Sequence, residues 1–371
     1  FSFGAVSILE KLGIVDSLVF GSECGDIDCI KNVADFLAEE YSAFNNLDNL
    51  AENDKFKNFQ ERLQFFLKQG LSFPKARAFA LGEFFPNLDD HFLSSSNNIL
   101  GIEYCRALRY FNSSITPMTI TRKDNLYNDE ELAEEGKLSS ATAIRKVLNK
   151  IDFNISQDMG RYLNGKSFNK DTDTFKGNTH FNILNSYMPE SSLNILKDNW
   201  RRSAPVSSND FSLLLKYKLL LETRESLADY LDVTSDLADR IYNHLNFYKD
   251  FDSFCDLLKT KELTYTRIAR SLIHILLDIK KADYELYKKG YGQYARILGF
   301  RKGASPLLHE IKTHSSIPLI SKLSDSVKEL DRIALSILEK DIQAAHIYES
   351  VVADKFGQEF KNEFRRQLVI V

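Results

Sequence analysis

The chain has 371 residues, 43% of them apolar and 27% charged, which is enough for two hydrophobic cores and too mixed for a disordered or membrane-embedded polypeptide. Four cysteines (Cys24, Cys29, Cys105, Cys255) and seven histidines are dispersed without metal-ligand spacing, so neither a disulfide framework nor a structural zinc site is indicated and a reducing cytoplasm is expected. The formal net charge of −4 favours no polyanionic partner, although such a total can hide a local basic patch, and no apolar run approaches the roughly 18 residues that span a bilayer.

The chain opens on FSFGAVSILEKLGIVDSLVFGSE, without an initiator methionine. A helix is predicted over 5–12 and a short apolar strand over 17–20, halted at Gly21. A helix leading into a buried strand belongs to the middle of an α/β fold, so earlier strands are expected to precede Phe1. Apolar spacing of three and four predicts helices over 26–41, 59–68 and 73–81, with the polar stretch 45–57 as a loop or insertion. SSSNNILGIEYCRALRYFNSSITPMTITR then reads as a loop, a helix over 99–111 and a strand over 115–121. This alternation predicts a doubly wound sheet, whose ligands sit beyond the carboxyl ends of the strands. Gly21, Asn97, Asn98 and Arg122 fall at such ends or at the adjoining helix start.

LSSATAIRKVLNK, residues 138–150, crowds hydroxyls and an arginine at a helix start. Unpaired N–H groups and the macrodipole make such a start receptive to phosphate. Ser140 and Thr142 add hydroxyl donors, and Arg145, one turn in, adds a forked cation. The same residues would serve an ordinary N-cap with a solvated arginine.

The polar stretch 154–180, rich in Asn, Asp, Lys and Gly, is predicted to be a linker. Helical patterns follow over 181–197, 211–222, 225–231, 235–246, 251–258 and 264–279, with a long helical tail over 324–364. Three regions are therefore expected: an α/β domain over 1–153, the linker, and a helical domain over 181–371. Between Lys259 and Lys302 eleven Lys and Arg face four Asp and Glu. At about 100° per residue, Arg267, Arg270, His274 and Lys281 share a stripe opposite Ile268, Leu272, Ile275, Leu276 and Ile279. Lys280, Lys288, Lys289, Arg296, Arg301 and Lys302 extend it, interleaved with Tyr284, Tyr287, Tyr291 and Tyr294. Cations among aromatics suit RNA phosphates and bases, while a solvated face with half-buried tyrosines explains the pattern as well. The glycines of GYGQYARILGF follow no predicted strand and argue against a dinucleotide loop. His91, His180 and His314 have no partner at ligand or triad spacing, and nothing marks Cys24 as a nucleophile.

SSATAIR resembles the Ile-Ser-Ser-Thr-x-Ile-Arg signature of the nucleotidyltransferase superfamily that also carries a His-x-Gly-His motif; Ser139 stands for the Ile and Ala141 for the second Ser. FGAVSILEKLG, LVFGSECGDI, NNILGIEY, SSATAIRK, LTYTRIARSLIHILL and YARILGF, in this order, resemble the tRNA(Met) cytidine acetate ligase family. The resemblance implies a Rossmann-like nucleotidyltransferase domain followed by an all-helical accessory domain. The implied reaction activates acetate with ATP as acetyl-adenylate, releases pyrophosphate and acetylates the wobble cytidine of elongator tRNA(Met). Mg²⁺ is expected wherever a triphosphate is used.

By the same resemblance ATP binding falls to Gly21, Asn98 with Asn97 beside it, Arg122 and Arg145, and the helix-start reading adds Ser140 and Thr142. The basic stripe, with tRNA as the implied substrate, gives Arg267, Arg270, Lys280, Lys281, Arg296, Arg301 and Lys302 as its contacts, and no residue is assigned to the chemical step. No His-x-Gly-His occurs in the 371 residues; the family places it on the first strand and helix, which fits the expectation of a preceding segment. Two alternatives remain: a non-catalytic RNA-binding protein that keeps the fold, and a small-molecule adenylyltransferase, against which the helical domain and basic patch count.

Overall fold

The computed structural model describes residues 1–45, 54–122, 131–134, 139–151, 181–260 and 263–371. The linker expected over 154–180 and His180 lie outside the described residues. Helix α1 (Ser2–Leu12) ends at Gly13, whose φ of 71° suits a residue without Cβ, and strand β1 (Ser17–Ser22) follows. Next come α2 (Ile27–Asn45), α3 (Asp54–Lys68), α4 (Phe73–Phe84), α5 (Asp90–Ser94), α6 (Ser96–Tyr110) and β2 (Thr116–Thr121). The loop expected over 45–57 gives way at Asp54 to the start of α3, because Phe56 and Phe59, three apart, are both buried and extend that helix's apolar face. In α2, Ile30, Val33, Ala34 and Leu37 recur at helical spacing and join residues of α3, α4 and α6 in one core.

β1 and β2 pair in parallel, Ser17 opposite Thr116 and Ser22 opposite Thr121. Helix α6 lies directly on one face of β1: a Cβ at Gly101 would stand 2.5 Å from Cε2 of Phe20. On the other face Val19, Met118 and Ile120 are 51%, 51% and 65% exposed.

The chain forms two compact units. One comprises Phe1–Arg122, Ser208–Val351 and Phe360–Val371; the other comprises Lys123–Ser207 and Val352–Glu359. The sequential boundaries expected at 153 and 181 fall in or beside residues outside the description. In the second unit, α7 (141–151) turns Ile144, Val147, Leu148 and Ile151 toward Phe181, Leu184, Leu193 and Trp200. The continuous helix expected over 181–197 is instead a 3₁₀ turn, Asn182–Leu184, and then α8 (Glu190–Asn199). Pro189, lacking an N–H, stands at the N-cap of α8 and starts the helix afresh.

In the first unit the later helices are α9 (Ser212–Leu220), α10 (Arg224–Leu227), α11 (Ser235–His244), α12 (Phe251–Leu258), α13 (Tyr265–Leu276) and α14 (Lys281–Lys288). Leu215, Leu219, Leu237, Ile241, Phe254, Ile268, Leu272 and Ile275 form their common core. Thr234 and Asp250 cap α11 and α12 by accepting from Leu237 N and Ser253 N. Strands β3 (Ala295–Arg296) and β4 (Gly299–Phe300), helix α15 (Ser305–His314), β5 (Leu319–Ile320), α16 (Leu323–Glu329), α17 (Arg332–Phe356) and β6 (Val369–Ile370) complete the chain. The helical region thus also carries two parallel pairs, β3 with β5 and β4 with β6. At two residues per strand they leave no periodic signal in the sequence. The single tail helix expected over 324–364 is divided: Asp331 Oδ1 accepts from Ala334 N at 2.8 Å and starts α17 anew.

A polar knot joins α9, α10, α13, α14 and α17. The Tyr230 hydroxyl lies 2.7 Å from Glu222 Oε1 and 3.0 Å from Asp278 Oδ1, and Lys218 Nζ reaches the same two oxygens at 3.0 and 3.1 Å. Lys340 Nζ is 3.2 Å from Asp278 Oδ2. Burial raises the Tyr230 phenol above its ordinary value, so it stays a donor. Tyr230→Phe removes a hydrogen bond to two carboxylates, and stability is expected to fall by about 1.5 kcal/mol, the lower end for a charged acceptor because Asp278 is partly exposed. Urea unfolding at neutral pH measures this.

Candidate functional site

At the carboxyl end of β1 the chain turns through Ser22, Glu23, Cys24, Gly25 and Asp26. Gly25 has φ 65°, and a Cβ there would stand 1.9 Å from Thr121 Oγ1, so glycine is required. Ser22, fully buried, shares a hydrogen bond with Thr119 Oγ1 at 2.7 Å and accepts from Gly25 N at 3.0 Å. Asn98, at 0% exposure, accepts from Glu23 N at 2.9 Å and Cys24 N at 3.1 Å and donates from Nδ2 to the Phe92 carbonyl at 3.1 Å. Glu23 returns the exchange. Its Oε2 accepts from Asn98 N at 2.9 Å, and its Oε1 accepts from Asn97 Nδ2 at 2.9 Å. The Asn98 side chain therefore shapes the loop and does not project into open space.

Asp26 treats α2 as Glu23 treats α6. Its Oδ1 accepts from Asp28 N at 2.9 Å and Cys29 N at 3.1 Å, and the bond from Cys29 N holds its carboxyl below the usual range. The Asp26 carboxylate in turn pushes the Cys29 thiol up to about 11, so at neutral pH it is no nucleophile. Both helix starts beside the strand end are thus filled by carboxylates, which disfavours a phosphate there. Gly21 leaves the outer sheet face bare: the nearest heavy atom to a Cβ there is the Ile120 carbonyl oxygen, at 3.9 Å. Arg122 N continues the ladder to Ser22 O at 2.8 Å, which sets that arginine one residue past the end of β2. Gly21, Asn97, Asn98 and Arg122 are therefore gathered at one end of the strand pair.

Ser140, Thr142 and Arg145 belong to the second unit. Ser140 is buried and its Oγ accepts from Ala143 N at 3.0 Å, as an N-cap does; Ser139 Oγ accepts from Ala133 N at 2.8 Å. Arg145 is exposed and Thr142 half-buried.

The basic stripe acquires partners that lie far away in sequence. Arg270 Nε is 2.6 Å from Asp232 Oδ2, His274 Nδ1 lies 3.0 Å from the Leu231 carbonyl, and Lys281 Nζ donates to the Ala228 carbonyl at 2.6 Å. Arg267, Arg301 and Lys302 are exposed, and Lys280 Nζ sits 5.6 Å from the Tyr230 ring centroid. Arg296 departs from the expectation: it is 21% exposed and bound at 2.6 Å to Glu363, itself 2% exposed, because a buried carboxylate demands a counter-cation. The tyrosines depart too. Tyr287 and Tyr291 pack against each other, and Tyr291 packs on Phe3, Tyr110 and Phe111, so they fasten α1 and α6 to the helical part. Lys11 Nζ reinforces this seam by donating to the carbonyls of Gly290 and Gly292. Tyr284 remains 41% exposed.

Sequence reasoning missed Ser22, Glu23, Asp26 and Asp232. A carboxylate directly after a strand and another before a helix were visible signals for Glu23 and Asp26; nothing local marked Asp232.

A family model described as HIGH Nucleotidyl Transferase matches residues 1–363. A Clostridium novyi protein named tRNA(Met) cytidine acetate ligase is 33% identical over 95% of this chain and 75% of its own length. An Acetivibrio thermocellus protein of the same name is 33% identical over 100% of this chain and 80% of its own. Crystal structures of Thermotoga maritima TmcAL, 23% identical, cover 100% of this chain: the apo form has a TM-score of 0.80 over 81% of that chain, and the form bound with alpha-thio ATP has 0.78 over 80%. This last likeness establishes the fold.

Asn98→Ala would strand the part-buried N–H groups of Glu23 and Cys24 and the buried Phe92 carbonyl, at about 1 to 3 kcal/mol each. A loss of about 3 kcal/mol or more in urea unfolding is expected, with faster amide exchange at Glu23 and Cys24.

Proposed function

The chain is a HIGH nucleotidyl transferase of the tRNA(Met) cytidine acetate ligase family, and on that premise we propose that it joins acetate to the wobble cytidine of elongator tRNA(Met) using ATP. The observation that carries the reading is one activity name on relatives that share a third of their residues with this chain over 95–100% of its length. A Thermotoga relative of the same fold holds an ATP analogue, which supports ATP as the substrate here.

The chemistry is balanced in two steps. An acetate oxygen attacks the α-phosphorus of ATP and pyrophosphate leaves; the cytosine amine then attacks the acetyl carbonyl, AMP leaves and the amine loses a proton. Adenylation is needed because a carboxylate oxygen is a poor leaving group and AMP a good one. In such a site positioning and charge neutralisation supply most of the rate.

In this reading the bare face at Gly21 receives the nucleotide, and Asn97 and Asn98 act by holding the loop beside it. Arg122, one residue past the end of β2, supplies positive charge to the phosphates there, which the carboxylates already on α2 and α6 make necessary. In the second unit Ser140, Thr142 and Arg145 at the start of α7 offer phosphate-binding groups, and Mg²⁺, where bound, would neutralise triphosphate charge. The tRNA lies along Arg267, Arg270, Lys280, Lys281, Arg301 and Lys302, and Arg296 serves the fold. Among the described residues no helix is long and apolar enough to cross a membrane, and the four cysteines are unpaired, which suits a cytoplasmic tRNA enzyme.

Incubation with ATP, labelled acetate and tRNA(Met) tests the proposal. Label in cytidine with equimolar pyrophosphate is expected, and tRNA binding with no label transfer would favour a non-catalytic RNA binder. Arg145→Ala should cost about 1.5 to 3 kcal/mol in kcat/KM for ATP, the scale of a charged hydrogen bond, with unfolding unchanged. Replacing Arg267, Arg270 and Lys281 together by glutamine should weaken tRNA binding and reduce its log–log salt slope by roughly 0.7 to 0.9 per contact. ATP–pyrophosphate exchange without tRNA should hardly change.

A further inference from the structure

Helix α9 has an apolar face on each side. Inward, Leu215 and Leu219 are buried in the core that also holds Ile268, Leu272 and Ile275 of α13. Outward, the pattern is repeated in solvent: Leu213 is 78%, Tyr217 64%, Leu220 63% and Leu221, in the C-cap, 64% exposed. Steps of four, three and one residues put these four side chains on one side of the helix, where a surface helix ordinarily carries polar groups. Single exposed leucines are commonplace, but a continuous stripe on the order of 500 Å² matches the largest apolar patch of a typical monomer. Tyr242, 48% exposed and 5.1 Å beneath the Arg224 guanidinium, adds to it past the carboxyl end.

The order of residues in the stripe is its own complement. Leu213 lies four residues before Tyr217 and Leu221 four after it, so a copy turned end for end about Tyr217 lays leucine on leucine. The ends match too. Asp210, in the 3₁₀ turn that leads into α9, and Arg224, at the start of α10, each stand seven residues from Tyr217, so reversed copies bring opposite charges together. Antiparallel helices also set the positive end of each macrodipole beside the negative end of the other. Two such faces would bury on the order of 1,000 Å² in total, the lower bound for a specific interface. A polyanion, in contrast, would find a single exposed lysine, Lys216, between Ser212 and Leu221.

We propose that a second copy of this chain covers the stripe, α9 packing antiparallel on α9 about a two-fold axis at Tyr217. The contact is isologous: Leu213 of each copy meets Leu221 of the other, and Tyr217 meets Tyr217. The inner face of α9 shares its core with the apolar side of α13, whereas Arg267 and Arg270 lie on the opposite side of α13. Pairing through α9 therefore leaves the basic stripe of both copies uncovered.

Sedimentation velocity of the full chain across a range of concentrations tests the pairing. A reversible monomer–dimer equilibrium with a Kd on the order of micromolar is expected from so small an interface. Leu213→Glu and Leu221→Lys should each weaken it at least tenfold, because each change enters the dimer twice. Both positions are exposed, so folding should be retained, which thermal unfolding checks; Tyr217→Asp, setting two carboxylates against each other on the axis, carries the test if either leucine variant unfolds. Combined in one chain, Leu213→Glu and Leu221→Lys put opposite charges face to face across the axis and should dimerise more tightly than either change alone. A wild-type chain that stays monomeric to about 100 μM, some hundredfold above the expected Kd, would overturn the proposal. So would dimers indifferent to these substitutions, or a double variant that dimerises no better than the single ones.

Discussion

The reciprocal exchange between Glu23 and Asn98 is the interaction on which the strand-end architecture depends. Each residue satisfies the other's neighbourhood: the asparagine holds two loop N–H groups, and the glutamate holds the first N–H groups of α6. Asn98 is wholly buried, so its own unmade hydrogen bonds would be costly, while Glu23 completes the exchange from a half-buried position. It ties the end of β1 to a helix start 75 residues later and so fixes the approach to the bare surface at Gly21.

A second consequence is electrostatic. An α/β sheet usually offers its helix starts to phosphate, yet here Glu23 and Asp26 occupy both starts nearest β1. In the proposed chemistry, positive charge for a triphosphate at this strand end would then come from side chains and not from the two helix starts. The same economy appears on the helical side. Asp232, Glu363 and the Tyr230 knot draw several basic residues into the fold, so the local excess of cations in the sequence overstates what faces solvent.

The tyrosines between Tyr284 and Tyr294 share two tasks. Tyr287 and Tyr291 join the seam with Phe3 and Phe111, and all four tyrosines line a cavity beside it. One run of tyrosines therefore both clamps α1 to the helical part and walls a pocket.

Period and capping made much of this legible from the sequence. The 3.6-residue spacing of Ile30, Val33 and Leu37, and of Ile268, Leu272 and Ile275, announces α2 and α13 because burial of one helix face needs only local information. SSATAIR likewise announces a capped helix start, and the family resemblance supplied the residues gathered around β1. Tertiary structure alone decided the rest. The pairing of β3 with β5 and β4 with β6 involves two residues per strand, too few for a pattern. The break at Asp331 depends on a cap within an otherwise periodic run. Whether Asn98 meets a ligand or a loop, whether Arg296 is solvated or spent on Glu363, and which tyrosines stay accessible all turn on partners tens of residues away. A helical wheel sees one element at a time, whereas charge pairing and burial are settled only when distant elements meet.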